Sequence, residues 1–389
     1  MEKVEQPALP EEQSEIEMTD LPAISDPLSR RWSWLARKLL ALERSRHRRL
    51  LNNVFIAALA VMALVITVGS INAHGSLTSL SLVVRHQGTD APMPVFEDYT
   101  QRPDMVYRGH SGSISSVAWS PDGRLLAAAG QDATVRLWDG LTGQAAQVYR
   151  GHSKAVLAIA WSPDGGRIAS VGQDGTAQVW LARTGARVFL CRNAAAILSV
   201  TWSPDGTRIA FGTLDGTIQV WNVVTGRHLF TYSGHPTGVR SVAWSPDGTR
   251  IASTGDENAV QVSDAATGKL LVNYEYHNDL VTSIKWSSNS RYIASASFDG
   301  TVQVWNARNG QRLFTYEGHT SYVFSVAWSP DGSSIASSSA DGTIQIWNAF
   351  LGQRSVTFLD QSTSLSWSAR GPFIAAGDSN GLVNLWIAE

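Results

Sequence analysis

The chain is poor in the features that usually announce chemistry. Its 389 residues include one cysteine, Cys191, so no intrachain disulfide can form. A single cysteine fits a reducing compartment, and it equally fits a secreted domain large enough to need no staples. No Cys or His pair stands at metal-ligand spacing and there is no Gly-rich phosphate loop, so the sequence gives no ground for a metal or another cofactor. A formal net charge of −2 gives none for a nucleic-acid partner. Asp256 beside Glu257 could bind a cation, but a solvated loop is the simpler reading.

What charge there is lies unevenly. Residues 1–29 hold eight carboxylates against Lys3 alone, with Pro7, Pro10, Pro22 and Pro27; that composition reads as a disordered acidic tail. Residues 30–53 form a basic segment, with eight cations between Arg30 and Arg49 and one acid, Glu43. From residue 101 onward basic and acidic groups balance.

The one long apolar run is "VFIAALAVMALVITVGSI", residues 54–71. As a helix it would be about 27 Å long, close to the ~30 Å of a bilayer's hydrocarbon core. A buried core helix and a cleaved signal peptide are the alternatives. The first lacks helical neighbours to bury it, and the second would need an unusually long leading region. Cationic flanks stay on the cytoplasmic side. The expectation is therefore a single-pass anchor in the cell membrane, with the N-terminus cytoplasmic and everything after Ile71 extracytoplasmic. The basic segment, with Trp32 and Trp34, can also lie on anionic lipid, although a plain topology signal suffices. Residues 72–103 are turn-rich and read as a linker.

The rest of the chain repeats itself. A-W-S-P-D-G begins at Ala118, Ala243 and Ala327, with near-copies at Ala160, Thr201 and Lys285. The tryptophan of each copy, with Trp367 as the last, recurs every 39 to 42 residues: Trp119, Trp161, Trp202, Trp244, Trp286, Trp328 and Trp367. Nineteen residues after each stands a second ladder: Trp138, Trp180, Trp221, Ser263, Trp305, Trp347 and Trp386. Thirteen of the chain's fifteen tryptophans lie on these ladders, so their first task is architectural, and a period near 40–45 marks a repeat fold. Each unit reads as four short strands. Alternating Val and Trp give the strand period, S-P-D-G suits a tight turn, and Asp-Gly closes the next hairpin. One such sheet cannot bury two apolar faces, so the units must stack on one another. Burying one tryptophan between sheets contributes roughly 4–6 kcal/mol gross.

With Gly-His, S-P-D-G, Asp-Gly and a closing Trp at fixed offsets over residues 104–389, the units resemble blades of the WD-repeat β-propeller family. The resemblance implies an all-β fold with seven blades. The last unit ends after its third strand at "LVNLWIAE", while "MVYRGH" at 105–110 copies "QVYRGH" at 147–152. Residues 104–108 are thus expected to complete the last blade, a closure similar to that used throughout the family. The near-identical repeats and the single anchor suggest a bacterial source.

Sets such as His152, Ser170, Asp174 and Trp180 could be mistaken for a hydrolase triad. They return as His277, Ser295, Asp299, Trp305 and as His319, Ser337, Asp341, Trp347, and an active site need not occur three times. The resemblance implies structural tetrads that tie the strands of a blade together, and buried polar groups must pair. Blade 1 has Ala128 in place of serine. Blades 3, 4 and 7 depart further, with Asn193 and Phe211, Glu257 and Ser263, and Asn380 at tetrad places. These three should be less firmly knitted, and the fourth should be the softest.

No catalytic residue emerges, and the expected function lies on a face of the disc. In the family, the face carrying the loops into the first strand and between the second and third meets partners. Here the matching positions include Arg240 and Asp256 in blade 4 and Leu280, Phe298, Tyr322 and Phe324 in blades 5 and 6. Aromatics on such a rim favour recognition, although Phe298 and Phe324 could instead pack into neighbouring loops. The expected role is a membrane-tethered, non-catalytic protein–protein interaction platform that binds a protein or peptide, with the propeller monomeric. A cytoplasmic-facing scaffold of reversed topology and a small-ligand sensor using the central channel are the alternatives.

Overall fold

Each S-P-D-G segment closes a tight turn for a local reason. In blade 6 the Gly332 N–H donates to the Ser329 carbonyl at 2.9 Å, and the Ser329 hydroxyl donates to the Asp331 carboxylate at 2.6 Å. Gly332 takes a φ of 71°, open to glycine at little cost. In the computed structural model, which describes residues 102–388, the same turn joins strands Val323–Trp328 and Ser334–Ser339. Strands Thr343–Asn348 and Arg354–Leu359 complete the sheet. We call the four strands a to d from the channel outward.

Among the described residues every regular element is a strand, and they form seven four-stranded antiparallel sheets. Six sheets are built from consecutive strands. The seventh combines Ser362–Trp367, Phe373–Asp378 and Val383–Ile387 with Met105–Tyr107 from the start of the described chain. Met105 pairs with Leu385 and Tyr107 with Val383. The Asp104 N–H donates to the Leu385 carbonyl at 2.8 Å, and the Asp104 carboxylate accepts the Ile387 N–H at 3.0 Å. The Tyr107 hydroxyl donates to the Gly140 carbonyl of blade 1 at 2.9 Å, so one short strand joins both ends of the repeat array.

The apolar core lies between blades. One cluster joins Ala127, Leu137 and Tyr149 of blade 1 to Val156, Trp161 and Trp180 of blade 2. Another joins Ile344 and Phe358 of blade 6 to Leu365, Ile374 and Trp386 of blade 7. Both tryptophan ladders serve these joints. On the inner ladder, the indole N–H groups of Trp161, Trp202, Trp286 and Trp328 each donate at 3.0 Å to a backbone carbonyl of the preceding blade. On the outer ladder, Trp180, Trp305 and Trp347 are fully buried, and each stacks on a tyrosine in strand d of the preceding blade.

Among the described residues no helix is long and apolar enough to cross a membrane. The acidic tail, the basic segment, the apolar run 54–71 and most of the 72–103 linker fall outside those residues.

Candidate functional site: the loop face and its networks

The tetrad positions form hydrogen-bonded chains. In blade 6, His319 Nδ1 donates to Asp341 Oδ2 at 2.8 Å, and His319 Nε2 accepts the Ser337 hydroxyl at 2.8 Å. Ser337 Oγ in turn accepts the Trp347 indole N–H at 3.2 Å. Blade 5 repeats the chain with His277, Asp299, Ser295 and Trp305 at 2.8, 2.8 and 3.2 Å. The roles agree with a neutral imidazole, and burial pushes the His319 pKa down. In blade 2, His152 bonds Asp174 at 3.0 Å and Ser170 at 2.9 Å. The buried indole N–H of Trp180, however, has no hydrogen-bond partner among the described residues. Blade 2 therefore has a polar triad and a tryptophan held by stacking, one link short of the expected tetrad.

Each histidine is fixed by strand and turn together. It sits in the loop entering strand a, the serine on strand b, the aspartate in the b–c hairpin and the tryptophan on strand c. The aspartates also accept backbone N–H groups, as Asp174 does from Ser153 at 3.0 Å. Repetition, depth and a saturated bonding pattern leave these groups with structural work to do.

The departures were visible in the sequence, but some replacements were not. In blade 3 Gln219 donates to Asn193 at 3.0 Å and accepts the Trp221 N–H at 3.1 Å. In blade 7 the buried Asp360 accepts the Trp386 indole at 2.6 Å and Asn384 at 3.1 Å. Burial pushes its pKa up despite those bonds. The reading that blade 7 lacks a histidine stands, but a carboxylate fills part of that role. It was missed because the last repeat is shorter and places Asp360 at a different offset. In blade 4, His235 bonds both Ser253 and Glu257, while the buried Ser263 takes the tryptophan's place.

A second missed feature is the Tyr-x-x-His spacing. Tyr149, Tyr274 and Tyr316 stand three residues before a tetrad histidine. Each donates its hydroxyl at 2.6 Å to a glutamine, Gln178, Gln303 or Gln345, two residues before the outer-ladder tryptophan. Reading tyrosine together with histidine would have exposed the interblade joint.

On the loop face Phe298, Tyr322 and Phe324 meet. The Phe298 ring lies 4.7 Å from Tyr322 and 6.2 Å from Phe324, the latter edge to face. Tyr322 is 50 % exposed, while Phe298 and Phe324 are half-buried. The two phenylalanines therefore pack on one another and still present an aromatic surface. The half-buried Leu280 carries the carbonyl that accepts the Phe298 N–H at 2.9 Å. Beside the trio lies a depression of about 590 Å³ bordered by Thr301, Glu317, Thr320 and Ser321. Arg240 and Asp256 pair with each other in blade 4, and Arg240 and Phe324 both line the mouth of the central channel.

The family model described as "WD domain, G-beta repeat" matches residues 101–139, 143–180 and 187–222. The model described as "IFT122 first beta-propeller" matches residues 238–389. These matches, with the seven four-stranded sheets, support a propeller of the WD-repeat family. No curated protein matches it. WD40 propellers are generally non-catalytic scaffolds for protein interaction, and no catalytic family is indicated.

Proposed function

We propose that this WD-repeat protein is a membrane-tethered interaction platform whose docking surface is the aromatic rim of blades 5 and 6. The observation that carries the reading is the Phe298–Tyr322–Phe324 contact set beside an open depression. Clustered aromatics offer large contact area at low conformational cost and dominate binding energies where they are found. The occupant is a protein or peptide segment with an apolar side chain to set against Tyr322. Arg240 and Asp256, in the neighbouring blade 4, add polar contacts. The tether is residues 54–71, and the basic flank before it supports a cytoplasmic N-terminus with the propeller extracytoplasmic, in the cell membrane.

Two measurements test the two halves separately. Protease treatment of intact cells should remove the propeller; full protection supports the reversed orientation. Cross-linking and capture with the full chain should lose its main partner when Tyr322→Ala and Phe324→Ala are combined, with the thermal midpoint kept close to that of the parent. Unchanged partners from that folded double variant would remove the rim from the proposal.

A further inference from the structure

The central channel encloses about 540 Å³ and is lined by the a strands of all seven blades. Its lining holds many hydroxyls and no carboxylate, and Arg240 and Lys285 are its charged members. Arg240 is already paired with Asp256. Lys285 makes no ion pair among the described residues. It stands one residue before the inner-ladder Trp286, where blades 1, 2, 4 and 6 have Ala118, Ala160, Ala243 and Ala327. It is exposed and lines the channel.

Two residues earlier on strand a, six of the seven blades place a serine: Ser116, Ser199, Ser241, Ser283, Ser325 and Ser364. Several of these oxygens are already engaged as acceptors. Ser116 accepts the Ile159 N–H at 3.3 Å, Ser364 the Val117 N–H at 3.1 Å and Ser325 the Leu365 N–H at 3.1 Å. At the level of Lys285, Ser366 and Thr201 likewise accept the N–H groups of Trp119 and Trp244 at 3.1 and 3.2 Å. A hydroxyl whose oxygen accepts from the wall still carries a proton to donate, and these five donate to no described residue. The channel thus presents inward-facing O–H donors around one uncompensated ammonium.

From this arrangement we propose that the channel is a binding site for a small tetrahedral oxyanion of the phosphate class, held by Lys285 and the serine tier above it. The chemistry is that of charge-assisted hydrogen bonding: an ammonium and several neutral donors converge on an acceptor-only ligand. Enclosure by the channel wall disfavours the Lys285 ammonium, and a bound anion would offset that cost and stabilise the fold. Phe324 of the aromatic rim lines the same channel, but none of the proposed anion ligands is a rim residue.

The test uses the full chain, solubilised in mild detergent, with calorimetric titration and thermal midpoints. The probes are inorganic phosphate, sulfate and glycerol 2-phosphate, with chloride at matched ionic strength as the control. The expected result is saturable binding near one per chain and a raised midpoint with at least one oxyanion and not with chloride. Preference for inorganic phosphate indicates the free ion, and preference for the monoester a phosphorylated small molecule; either supports the site. Lys285→Ala installs a residue that four other blades already tolerate, and it should weaken binding by about tenfold or more while keeping the anion-free midpoint. Lys285→Met serves the same purpose should the alanine variant be unstable. No saturable binding to the parent chain by any of the three probes, or equal binding by the folded Lys285 variant, overturns the proposal.

Discussion

Trp347 of blade 6 lies flat on Tyr316 of blade 5, with ring centroids 4.3 Å apart and planes 3° from parallel. The tyrosine hydroxyl reaches back to Gln345 at 2.6 Å, so the joint between two blades combines stacking with a buried hydrogen bond. Trp305 on Tyr274 and Trp180 on Tyr149 repeat it at 4.2 and 4.6 Å. In blade 3 the joint fails, because Cys191 occupies the tyrosine place and Trp221 is only half-buried, touching Phe189 and His228 by its edges. Trp347→Ala should therefore cost about 3–5 kcal/mol, and Trp221→Ala clearly less. Urea unfolding of both variants checks the order; an equal or larger loss at Trp221 would contradict the account.

Blade 4 is expected to open first. Ser263 stands where an indole belongs, and buried polar atoms lack partners among the described residues both within this blade, Thr254 Oγ1 and Glu257 Oε2, and at its joint with blade 3, the Tyr232 hydroxyl. Each unpaired buried group costs roughly 1–3 kcal/mol relative to a satisfied one. Amide exchange over residues 250–265 should be faster than over the corresponding strands of blades 2 and 6. Ser263→Trp, which can stack on Tyr232, should slow it. Slower exchange in blade 4 than in blade 6 for the parent chain refutes this reading.

The periodic part of the molecule was legible because its physics is local. Two indoles per repeat, S-P-D-G and Asp-Gly set strand, turn and hairpin within one unit, and a copied strand at 105–110 indicated where the last blade finds its fourth member. Side chains with no periodic label were harder to read. Lys285 reads as one of several tolerated residues before a tryptophan until the ring places it in a channel with no carboxylate. Asp360 was hidden by the shortened spacing of the last repeat. Phe298, Tyr322 and Phe324 could be placed on one face from their offsets, but whether they touched depended on loop packing that the offsets do not encode.

Ala133 breaks the pattern of the b–c hairpin. Five blades have glycine at this place, and those glycines take φ values from 69° to 85°. Ala133 adopts 61°, a left-handed conformation that costs a residue with a β-carbon about 1–2 kcal/mol. Ala133→Gly should relieve that strain, partly offset by the greater freedom of glycine in the unfolded chain. The net expectation is a gain of about 0.5–1 kcal/mol, seen as a higher thermal midpoint. A lower midpoint would mean that the methyl group makes contacts worth more than the strain.

Stability should fall on mild acidification, and the histidines set the sign. Burial holds the pKa values of His110, His152 and His319 below the ordinary 6.5, against the pull of their aspartate partners. The unfolded chain then binds more protons than the folded one below that value, so stability is full above about pH 6.5 and is lost as pH drops toward the folded values. The aspartates act lower on the scale. Burial alone would raise Asp132, but bonds from Thr134, Ser111 and His110 hold it at about 2, so its contribution is lost only as pH falls below the usual carboxylate range. Asp360 has the opposite sign, since burial raises its pKa: its ionised form weakens blade 7 at neutral pH, and protonation relieves that. Between about pH 6.5 and pH 5.5 the histidines dominate, and the urea midpoint should decrease steadily. His152→Gln should shrink the pH dependence while lowering the midpoint at neutral pH. A midpoint that stays flat or rises over this interval would mean that the buried imidazoles are charged in the folded state and that the His–Asp pairs are true ion pairs.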